Sequence, residues 1–484
     1  MIKVASDADR VAVAKLQEDG QGQIFRFWEE LSPADQKELL AEIRELDLPK
    51  LKDLVQHYRE SDSEAVTGQV YEPSHFAELP SSEESRSRWL AAREAGEDAL
   101  RNGKVAVVLS AGDPGENAGF TAPKGTYPVG PVSGKCLYRL HAEKLLALGK
   151  KYRATPPLFV VSSSETHDAT VGHFQDHDNF KLNRQDVKHV VQESLPVINK
   201  RGQLILRSRC GLALKPTGHG GVMARVLEED IFKKLEIQGI EYLFFFQVGN
   251  PLVQIADPSL IGHHVVGQYD VSSKTVRKSE PDESIGVFCR HNGALTIVRP
   301  DQLAEDELHR RLDDGRLVHC AGDLANHVFS MDFLQRFRES STPIPYHCVE
   351  QRTPCVDRRG RLVNPRKPNS IVFERSIADF LSQAEKTLVV EACREEEFLP
   401  ISNSEGDDSP ESARRALARV FRSWLENAGV APTSSNGAGS SDPDNDCLVE
   451  ISPLYAMTPD DLRDRLRKEH DDEPLKLETG LYLE

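Results

Sequence analysis

KVAVVLSAGDPGENAGFTAPKGTYPVG, residues 104–130, is the stretch that decides the fold. Its apolar run 105–109 is rich in β-branched residues, which is typical of a strand buried on both faces of a parallel sheet. The run ends in a loop of small residues that contains Gly112, Gly115 and, further on, Lys124. Glycines after such a strand let backbone N–H groups approach a phosphate closely, and a lysine adds a positive charge. The stretch is therefore either a phosphate-binding loop or an ordinary turn between a strand and a helix.

Beyond this stretch, apolar segments alternate with helical patterns as far as about residue 390. We predict strands over residues 158–161, 242–248 and 286–289 and helices over residues 137–148 and 231–237. Such alternation is typical of a doubly wound, Rossmann-like α/β sheet. Ligands of these sheets bind beyond the C-terminal ends of the strands, which is where the loop after residue 109 would lie.

The regions on either side of the predicted sheet differ in character. Residues 1–100 show a helical pattern, in which Ser32 and Pro33 suit an N-cap and a first helical position. We interpret Phe25 and Trp28 in this region as core residues. The region after residue 390 is less regular and contains a loop rich in Gly, Ser and Asp over residues 433–446. We predict an N-terminal helical region (1–100), a nucleotidyltransferase-like α/β domain (101–390) and a small C-terminal domain (391–484).

Composition narrows the class of protein. The 484 residues are 39% hydrophobic and 28% charged, which is typical of a globular protein with a sizeable core. A formal net charge of −17 argues against nucleic acid or an anionic membrane as a partner. The eight cysteines form no C-x-x-C pair, so neither a zinc site nor a disulfide framework is expected. Together with the lack of an apolar leader segment, this predicts a cytoplasmic protein with reduced thiols.

A series of short motifs follows the glycine loop in a fixed order. They are Gly218-His219-Gly220-Gly221, Val248-Gly249-Asn250, Ala256-Asp257-Pro258, Ala321-Gly322-Asp323, Arg394-Glu395-Glu396-Glu397-Phe398 and Ile451-Ser452-Pro453-Leu454. With Pro123-Lys124-Gly125, this series resembles the UDP-sugar pyrophosphorylase family, most closely the eukaryotic-type UDP-N-acetylglucosamine pyrophosphorylases. The resemblance extends from about Phe25 to about Leu454.

The resemblance implies a fold, a reaction and a cofactor. The fold is the Rossmann-like nucleotide-diphospho-sugar transferase sheet. In the reaction, N-acetylglucosamine-1-phosphate or glucose-1-phosphate attacks the α-phosphorus of UTP, which yields a UDP-sugar and pyrophosphate. The expected partners are therefore UTP or a UDP-sugar and a sugar-1-phosphate, and the expected cofactor is Mg²⁺.

The same resemblance, carried over position by position, assigns candidate site residues. Lys124 matches the lysine of the family's P-K-G step and is our candidate catalytic residue. The candidate nucleotide-binding residues are Leu109, Gly112, Gly115, Lys124, Gln192 and Gly218. The candidate sugar-binding residues are His219, Asn250, Gly286 and Asp323.

Several positions depart from the family pattern. Asn117 replaces the loop arginine, Gly249 replaces the aspartate that binds the metal, and Ser402 replaces a late lysine. Asp113 and Glu116 add negative charge beside the expected triphosphate, which costs about 1–4 kcal/mol for two charges about 4 Å apart. These changes predict weak or absent standard activity and leave no evident protein carboxylate for Mg²⁺. The alternative is an inactive relative that binds a nucleotide sugar or acts as a regulatory or interaction protein.

The sugar-side motifs have also changed. His219 stands where the acetylglucosamine-specific enzymes have asparagine, and Asp323 stands at another family asparagine. A Gly-His-Gly form resembles the UDP-glucose branch, so the sugar remains open between the two hexose phosphates. His173 and His177 have the i,i+4 spacing of helical metal ligands, but we interpret them as part of a polar helix face.

Overall fold

A computed structural model of the chain describes residues 2, 4, 6–61, 70–115, 118–430, 448–469, 475 and 477–484. Glu116, Asn117 and the loop predicted over residues 433–446 lie outside this described part. The chain divides into two compact units. The first consists of Met1–Val70, Gln192–Arg225 and Pro343–Phe380, and the second of Tyr71–Val191, Val226–Thr342 and Leu381–Glu484. The division into domains at residues 100 and 390 stays a prediction.

Helices and strands succeed one another along the described chain. The helices are α1 (Asp7–Glu18), α2 (Pro33–Glu45), α3 (Leu48–Ser61), α4 (Glu83–Arg101), α5 (Leu137–Tyr152), α6 (His167–Asp176), α7 (Gly218–Val226), α8 (Glu229–Ile237), α9 (Pro258–Gly267), α10 (Glu305–His309), α11 (Met331–Glu339), α12 (Ala378–Leu381), α13 (Arg394–Glu397), α14 (Pro410–Asn427) and α15 (Pro459–Glu469). The strands are β1 (Glu72–Pro73), β2 (Val105–Ser110), β3 (Leu158–Ser162), β4 (Val187–Val191), β5 (Ser194–Pro196), β6 (Ile198–Asn199), β7 (Leu214–Pro216), β8 (Tyr242–Gln247), β9 (Val271–Arg277), β10 (Val287–His291), β11 (Ala294–Val298), β12 (Ala321–Ser330), β13 (His347–Gln351), β14 (Cys355–Val356), β15 (Leu362–Val363), β16 (Ser370–Glu374), β17 (Thr387–Glu391), β18 (Val449–Ile451) and β19 (Leu481–Leu483). None of these helices is both long and apolar enough to cross a membrane.

A large mixed sheet organises the second unit. Its main path runs β1-β10-β12-β8-β2-β3-β4, while β11 pairs with β10 and β9 pairs with both β12 and β17. Strands β8, β2, β3 and β4 are parallel to one another, and every residue of β2 is buried. Apolar residues of β2, β3, β8 and α5 share one core with residues of α9 and α14. The α/β prediction is confirmed, as are strands at each of the three predicted positions.

The strand β12 adds an antiparallel element that the alternation pattern does not contain. It pairs antiparallel with β8 through His327–Ser330 and with β9 on its other side. Its register with β9 shifts between Asp323 and His327, which marks an irregularity beside Ala325 at a φ of +55°. Such bulges commonly re-aim side chains near functional sites.

The first unit combines helices with small sheets. Strands β13, β16 and β6 form a three-stranded antiparallel sheet, and β5 pairs with β7. Helices α1, α2 and α3 pack with these strands around a core that contains Phe25 and Trp28. The two rings are almost fully buried and meet edge to face at 6.2 Å, so their interpretation as core residues is confirmed. Ser32 caps α2 as predicted, because its side chain accepts from the Asp35 N–H.

Helices α4 and α9 cross at very close range in the second unit. A Cβ atom on Gly262 would lie 1.6 Å from the Ala92 carbonyl oxygen, and one on Gly96 would lie 1.9 Å from the Pro258 carbonyl oxygen. Glycine is therefore required at both contact points, since any side chain would push the helices apart. This crossing holds the N-terminal turn of α9, which begins at Pro258, the last residue of the Ala256-Asp257-Pro258 motif.

We expect Gly262→Ala to lower the free energy of unfolding by about 2–3 kcal/mol, because the added methyl group overlaps backbone atoms of α4. Urea unfolding measures the change. Gly172→Ala in α6 is the matched control, because a Cβ there meets nothing within 4 Å. We expect this control to stabilise the protein slightly, by about 0.5–1 kcal/mol. A Gly262→Ala protein as stable as wild type would contradict the close packing.

Candidate functional site

The glycine loop leaves the sheet at the C-terminal end of β2 and folds back on itself at Lys124. Leu109, Gly112 and Gly115 are buried along this path. The Lys124 N–H donates to the Asp113 carbonyl oxygen at 3.1 Å, which closes the loop. Lys124 itself is only 9% exposed, so the loop presents a largely desolvated ammonium group. Of these four candidate nucleotide-binding residues, Leu109 therefore lies near the end of β2, and Gly112, Gly115 and Lys124 lie in the segment that follows it.

The carboxylate of Asp113 binds two groups of this loop. Its Oδ1 accepts from the Gly115 N–H at 2.8 Å, and its Oδ2 accepts from Lys124 Nζ at 2.9 Å. The Asp113 side chain is 37% exposed and the Lys124 side chain 11%. The lysine that the sequence assigns to a phosphate is thus already paired with a carboxylate of its own chain.

The end of β8 lies beside the same ammonium group. An ideal Cβ on Gly249 would lie 3.1 Å from both Cε and Nζ of Lys124 and 3.5 Å from the Ile401 carbonyl oxygen. The Ile401 N–H donates to the Gly249 carbonyl oxygen at 3.0 Å, so the segment that continues into Ser402 leaves from beside Gly249. Ser402 is exposed. Position 249 therefore lies beside Lys124, and position 402 follows a residue that is hydrogen-bonded to Gly249.

Helix α5 fixes the chain that follows Gly249. The ring Nε2 of His141 donates to the Val248 carbonyl oxygen at 2.9 Å, and Lys144 Nζ donates to the carbonyl oxygens of Pro251 at 2.6 Å and Val253 at 2.7 Å. Burial lowers the pKa of His141 to about 3 and that of Lys144 to about 7. His141 is consequently neutral at physiological pH and serves as a hydrogen-bond donor.

The amide of Asn250 is occupied by backbone partners. Its Nδ2 donates to the Glu397 carbonyl oxygen at 2.7 Å, and its Oδ1 accepts from the N–H groups of Leu252 at 3.1 Å and Leu399 at 3.2 Å. These bonds tie the end of β8 to the chain after α13. A direct role of Asn250 in sugar binding stays a prediction.

A buried ionic group lies in the second unit and was not predicted from sequence. Lys274 Nζ binds Asp257 Oδ2 at 2.9 Å and also binds the Glu397 carboxylate. Asp257 additionally caps α9, accepting from the Ser259 and Leu260 N–H groups. Burial alone would raise the pKa of Asp257, but the charge of Lys274 holds it below its usual value, whereas burial keeps the pKa of Glu397 raised. Asp257 and Glu397, which belong to two separate motifs of the sequence, therefore both bind Lys274.

Gly286 and Asp323 form another pair in the second unit. The Asp323 N–H donates to the Gly286 carbonyl oxygen at 2.8 Å. Asp323 Oδ1 accepts from the Ala325 N–H at 2.8 Å and lies 3.7 Å from His327 Nε2. Burial raises the pKa of the Asp323 carboxyl to about 7. The Asp323 carboxyl, which stands at an asparagine position of the family, is therefore present in both its neutral and its charged form near pH 7.

The remaining candidate residues belong to the first unit. Gln192 is 4% exposed, and its Oε1 has no hydrogen-bond partner among the described residues. A Cβ on Gly221 would lie 3.1 Å from this oxygen and 2.0 Å from Thr217 Oγ1, so only glycine fits there. Gly218 adopts a φ of +74° at the start of α7, and His219 follows it half-buried. Gln192, Gly218 and His219 are therefore assembled around the Thr217–Gly221 turn.

Charged side chains that the sequence analysis missed surround Glu193, the neighbour of Gln192. The Glu193 carboxylate binds Lys50 Nζ, accepts from the Tyr346 hydroxyl at 2.8 Å and lies 3.8 Å from Arg375 Nη1. Arg375 also stacks on the Tyr346 ring at 4.3 Å. The Gly220 N–H donates to the Arg375 carbonyl oxygen at 2.9 Å, which links this cluster to the glycine turn. No local motif marks these residues, because they come from three distant chain segments.

The two histidines with metal-ligand spacing have protein partners. His173 Nε2 lies 3.4 Å from Cys136 Sγ, and His177 Nδ1 donates to the His173 carbonyl oxygen at 2.8 Å. Within the described residues, the group with three potential metal-ligand atoms within 4.8 Å of one another is instead Asp35, Glu38 and Cys210 in the first unit.

We expect Asp323→Asn to stabilise the protein more at pH 8 than at pH 5. Because the folded-state pKa is raised from 3.8 to about 7, the unfolded chain loses its proton first as the pH rises, and the carboxyl costs increasing stability until the pH passes about 7. The neutral amide keeps the oxygen that accepts from Ala325 and has no such cost. Its advantage should grow by about 1–3 kcal/mol over this interval, measured by urea unfolding. Exposed Asp301→Asn is the control, and a pH-independent difference would contradict the raised pKa.

Comparison with known proteins places the whole chain in one family. A family model described as UTP–glucose-1-phosphate uridylyltransferase matches residues 52–414. UDP-N-acetylhexosamine pyrophosphorylase-like protein 1 of Xenopus tropicalis is 34% identical over 91% of each chain. UDP-N-acetylglucosamine pyrophosphorylase of Saccharomyces cerevisiae is 30% identical over 85% of this chain and 90% of the yeast protein.

The solved structures agree on the fold. The crystal structure of the uridine diphosphate N-acetylglucosamine pyrophosphorylase from Trypanosoma brucei in complex with inhibitor superposes with a TM-score of 0.78, covering 99% of each chain at 22% identity. That likeness confirms the expected nucleotide-diphospho-sugar transferase fold. The family model and the full-length relatives together show that this chain belongs to the UDP-sugar pyrophosphorylase family.

Proposed function

We propose that the protein binds a uridine nucleotide and performs the family's uridylyl transfer slowly, with N-acetylglucosamine-1-phosphate or glucose-1-phosphate as the acceptor. Family membership over residues 52–414 supports the reaction class. The names of the yeast and frog relatives support an N-acetylhexosamine as the sugar. His219 in place of asparagine keeps glucose-1-phosphate as the second candidate acceptor.

The observation that carries this proposal is the buried Oε1 of Gln192, which has no partner among the described residues. A buried acceptor without a donor costs about 1–3 kcal/mol, so this oxygen would gain from a donor that a ligand supplies. Uracil carries one ring N–H donor between two carbonyl acceptors. Glycine at position 221 lets the Gln192 side chain pack closely against this turn, since a Cβ there would lie 3.1 Å from Oε1.

As a separate part of the proposal, the loop that contains Lys124, which belongs to the second unit, would bind phosphate. Its ammonium group is nearly desolvated, which strengthens its attraction for a phosphate oxygen. The buried backbone of Gly112 and Gly115 permits the close approach that a polyphosphate needs. In the transfer step, Lys124 would stabilise charge on the oxygens around the α-phosphorus as pyrophosphate leaves.

Magnesium would supply further neutralisation of phosphate charge when bound, but the described residues around Lys124 fit it poorly. Gly249 offers no carboxylate, and the Asp113 carboxylate is paired with Lys124. The carboxylates of Asp257 and Glu397 are likewise ion-paired, both with Lys274. No step of the proposed reaction therefore runs through a protein-bound metal, and this lack of a carboxylate ligand is our reason for expecting a slow reaction.

A second candidate function is nucleotide-sugar binding without turnover, for regulation or interaction. The pairing of Lys124 with Asp113 and the exposed Ser402 in place of a lysine favour it. Both candidates require uridine recognition, so they differ only in pyrophosphate release.

We expect Gln192→Leu to weaken UTP and UDP-N-acetylglucosamine binding at least tenfold, because it removes the acceptor for the base. The melting temperature should be unchanged or higher, since a buried unsatisfied oxygen is also removed. Isothermal titration calorimetry and thermal unfolding measure the two effects. Gln335→Leu on the exposed face of α11 is the matched control. If wild-type protein binds neither ligand, the proposal is wrong.

We expect the triple variant Asn117→Arg, Gly249→Asp and Ser402→Lys to release pyrophosphate at least tenfold faster than wild type. Wild type should stay below about 1 per second, the lower end of ordinary enzyme turnover. An ideal Cβ at position 249 lies 3.1 Å from the flexible end of Lys124 and in ordinary contact, at 3.5 Å, with the Ile401 carbonyl oxygen, so the aspartate can be accommodated. The control carries Gly249→Asn instead and should gain nothing. Ordinary turnover by wild type, or no gain in the triple variant, would contradict the charge-loss explanation.

A further inference from the structure

We propose that the Asp113 carboxylate acts as an internal phosphate mimic, which fills the anion position of the glycine loop and thereby sets the loop's affinity for a nucleotide. The proposal rests on the proposed function only for the identity of the nucleotide. It makes Asp113 a specificity-determining residue of the phosphate site.

The donor set around Asp113 supports this assignment. A bound phosphate in a glycine loop takes hydrogen bonds from backbone N–H groups and from a lysine. Asp113 takes one bond of each kind, from the Gly115 N–H at 2.8 Å and from Lys124 Nζ at 2.9 Å. Both carboxylate oxygens are used, one on each donor. The carboxylate therefore occupies the donors that an incoming phosphate would need.

Two hydrogen bonds between Asp113 and Lys124 hold this carboxylate in the loop. The Lys124 N–H donates to the Asp113 carbonyl oxygen, and Lys124 Nζ donates to the Asp113 carboxylate. The two residues are therefore joined both through their backbones and through their side chains. An anion attached in this way has a high effective concentration at its site and competes strongly with a free ligand. Pro114 follows directly and has no N–H to offer a phosphate in compensation.

Because the Asp113 carboxylate is partly exposed, a phosphate can replace it on the loop's hydrogen-bond donors. With 37% of its side chain exposed, the carboxylate can turn into solvent and leave Lys124 to a phosphate oxygen. The network of Lys274, Asp257 and Glu397 contrasts with it, because all three residues are buried. Because Gly249 has no side chain, position 249 places no side-chain atom against the end of Lys124.

The test measures binding of inorganic pyrophosphate, UTP and CTP to full-length protein by calorimetry, in EDTA and in Mg²⁺. Asp113→Asn removes the charge and keeps an oxygen for the Gly115 N–H. We expect this variant to bind pyrophosphate in EDTA at least tenfold more tightly than wild type. Asp113→Ser, which shortens the side chain, should also tighten binding and guards against a local defect of the asparagine variant.

Asp98→Asn is the matched control, because Asp98 is also ion-paired, with Arg101 Nη1 at 2.6 Å on the exposed side of α4. It should bind pyrophosphate as wild type does. Thermal unfolding of each variant confirms that the protein is folded before binding is compared.

Two results would overturn the proposal. Unchanged pyrophosphate binding in both Asp113 variants would show that the carboxylate does not compete with phosphate. Weaker binding in Mg²⁺ together with loss of an Mg²⁺-dependent thermal shift would show that Asp113 is a metal ligand instead. Tighter pyrophosphate binding without any UTP preference over CTP would support the mimic and contradict the uridine function, so the two proposals fail separately.

Discussion

The parallel pairing of β2 with β8 is the constraint on which the candidate phosphate site depends. Leu109 is in register with Phe246 and Ser110 with Gln247, and the Val248 N–H continues the ladder to the Ser110 carbonyl oxygen at 3.1 Å. Two segments that leave neighbouring strands of a sheet at the same edge remain close to each other over the next few residues. The glycine loop and the chain after Gly249 are therefore neighbours.

The charges placed on this frame are of two physical kinds. Lys274, Asp257 and Glu397 are buried together, and loss of one member of such a group leaves an uncompensated charge that costs about 3–5 kcal/mol. The Asp113–Lys124 pair is open to solvent on its carboxylate side, since 37% of the Asp113 side chain is exposed against 11% of the Lys124 side chain. The first group is suited to hold elements together, while the second can be exchanged for a ligand. The fold and the chemistry of the family are thus separable in this chain, because substitutions at the loop change charge without disturbing the sheet.

Local sequence patterns predicted much of the fold, because they reflect interactions between near neighbours. The apolar run of β2, the helical spacing of α5 and the capping Ser32 all follow from residues within a few positions of each other. The antiparallel placement of β12 could not be predicted in this way, since its pairing with β8 joins segments about eighty residues apart. The close crossing at Gly262 likewise depends on a helix far away in the chain.

The sequence by itself determined the family, the parallel strands and the choice of Lys124 in the glycine loop as a candidate, because motif order and apolar periodicity are properties of the linear chain. Only the tertiary structure decided which charges meet. It paired Lys124 with Asp113, joined Asp257 and Glu397 on Lys274, and buried the carboxyl of Asp323. The physical reason is that the partner and the solvation of a charged group depend on where loops converge, and no local pattern records that convergence.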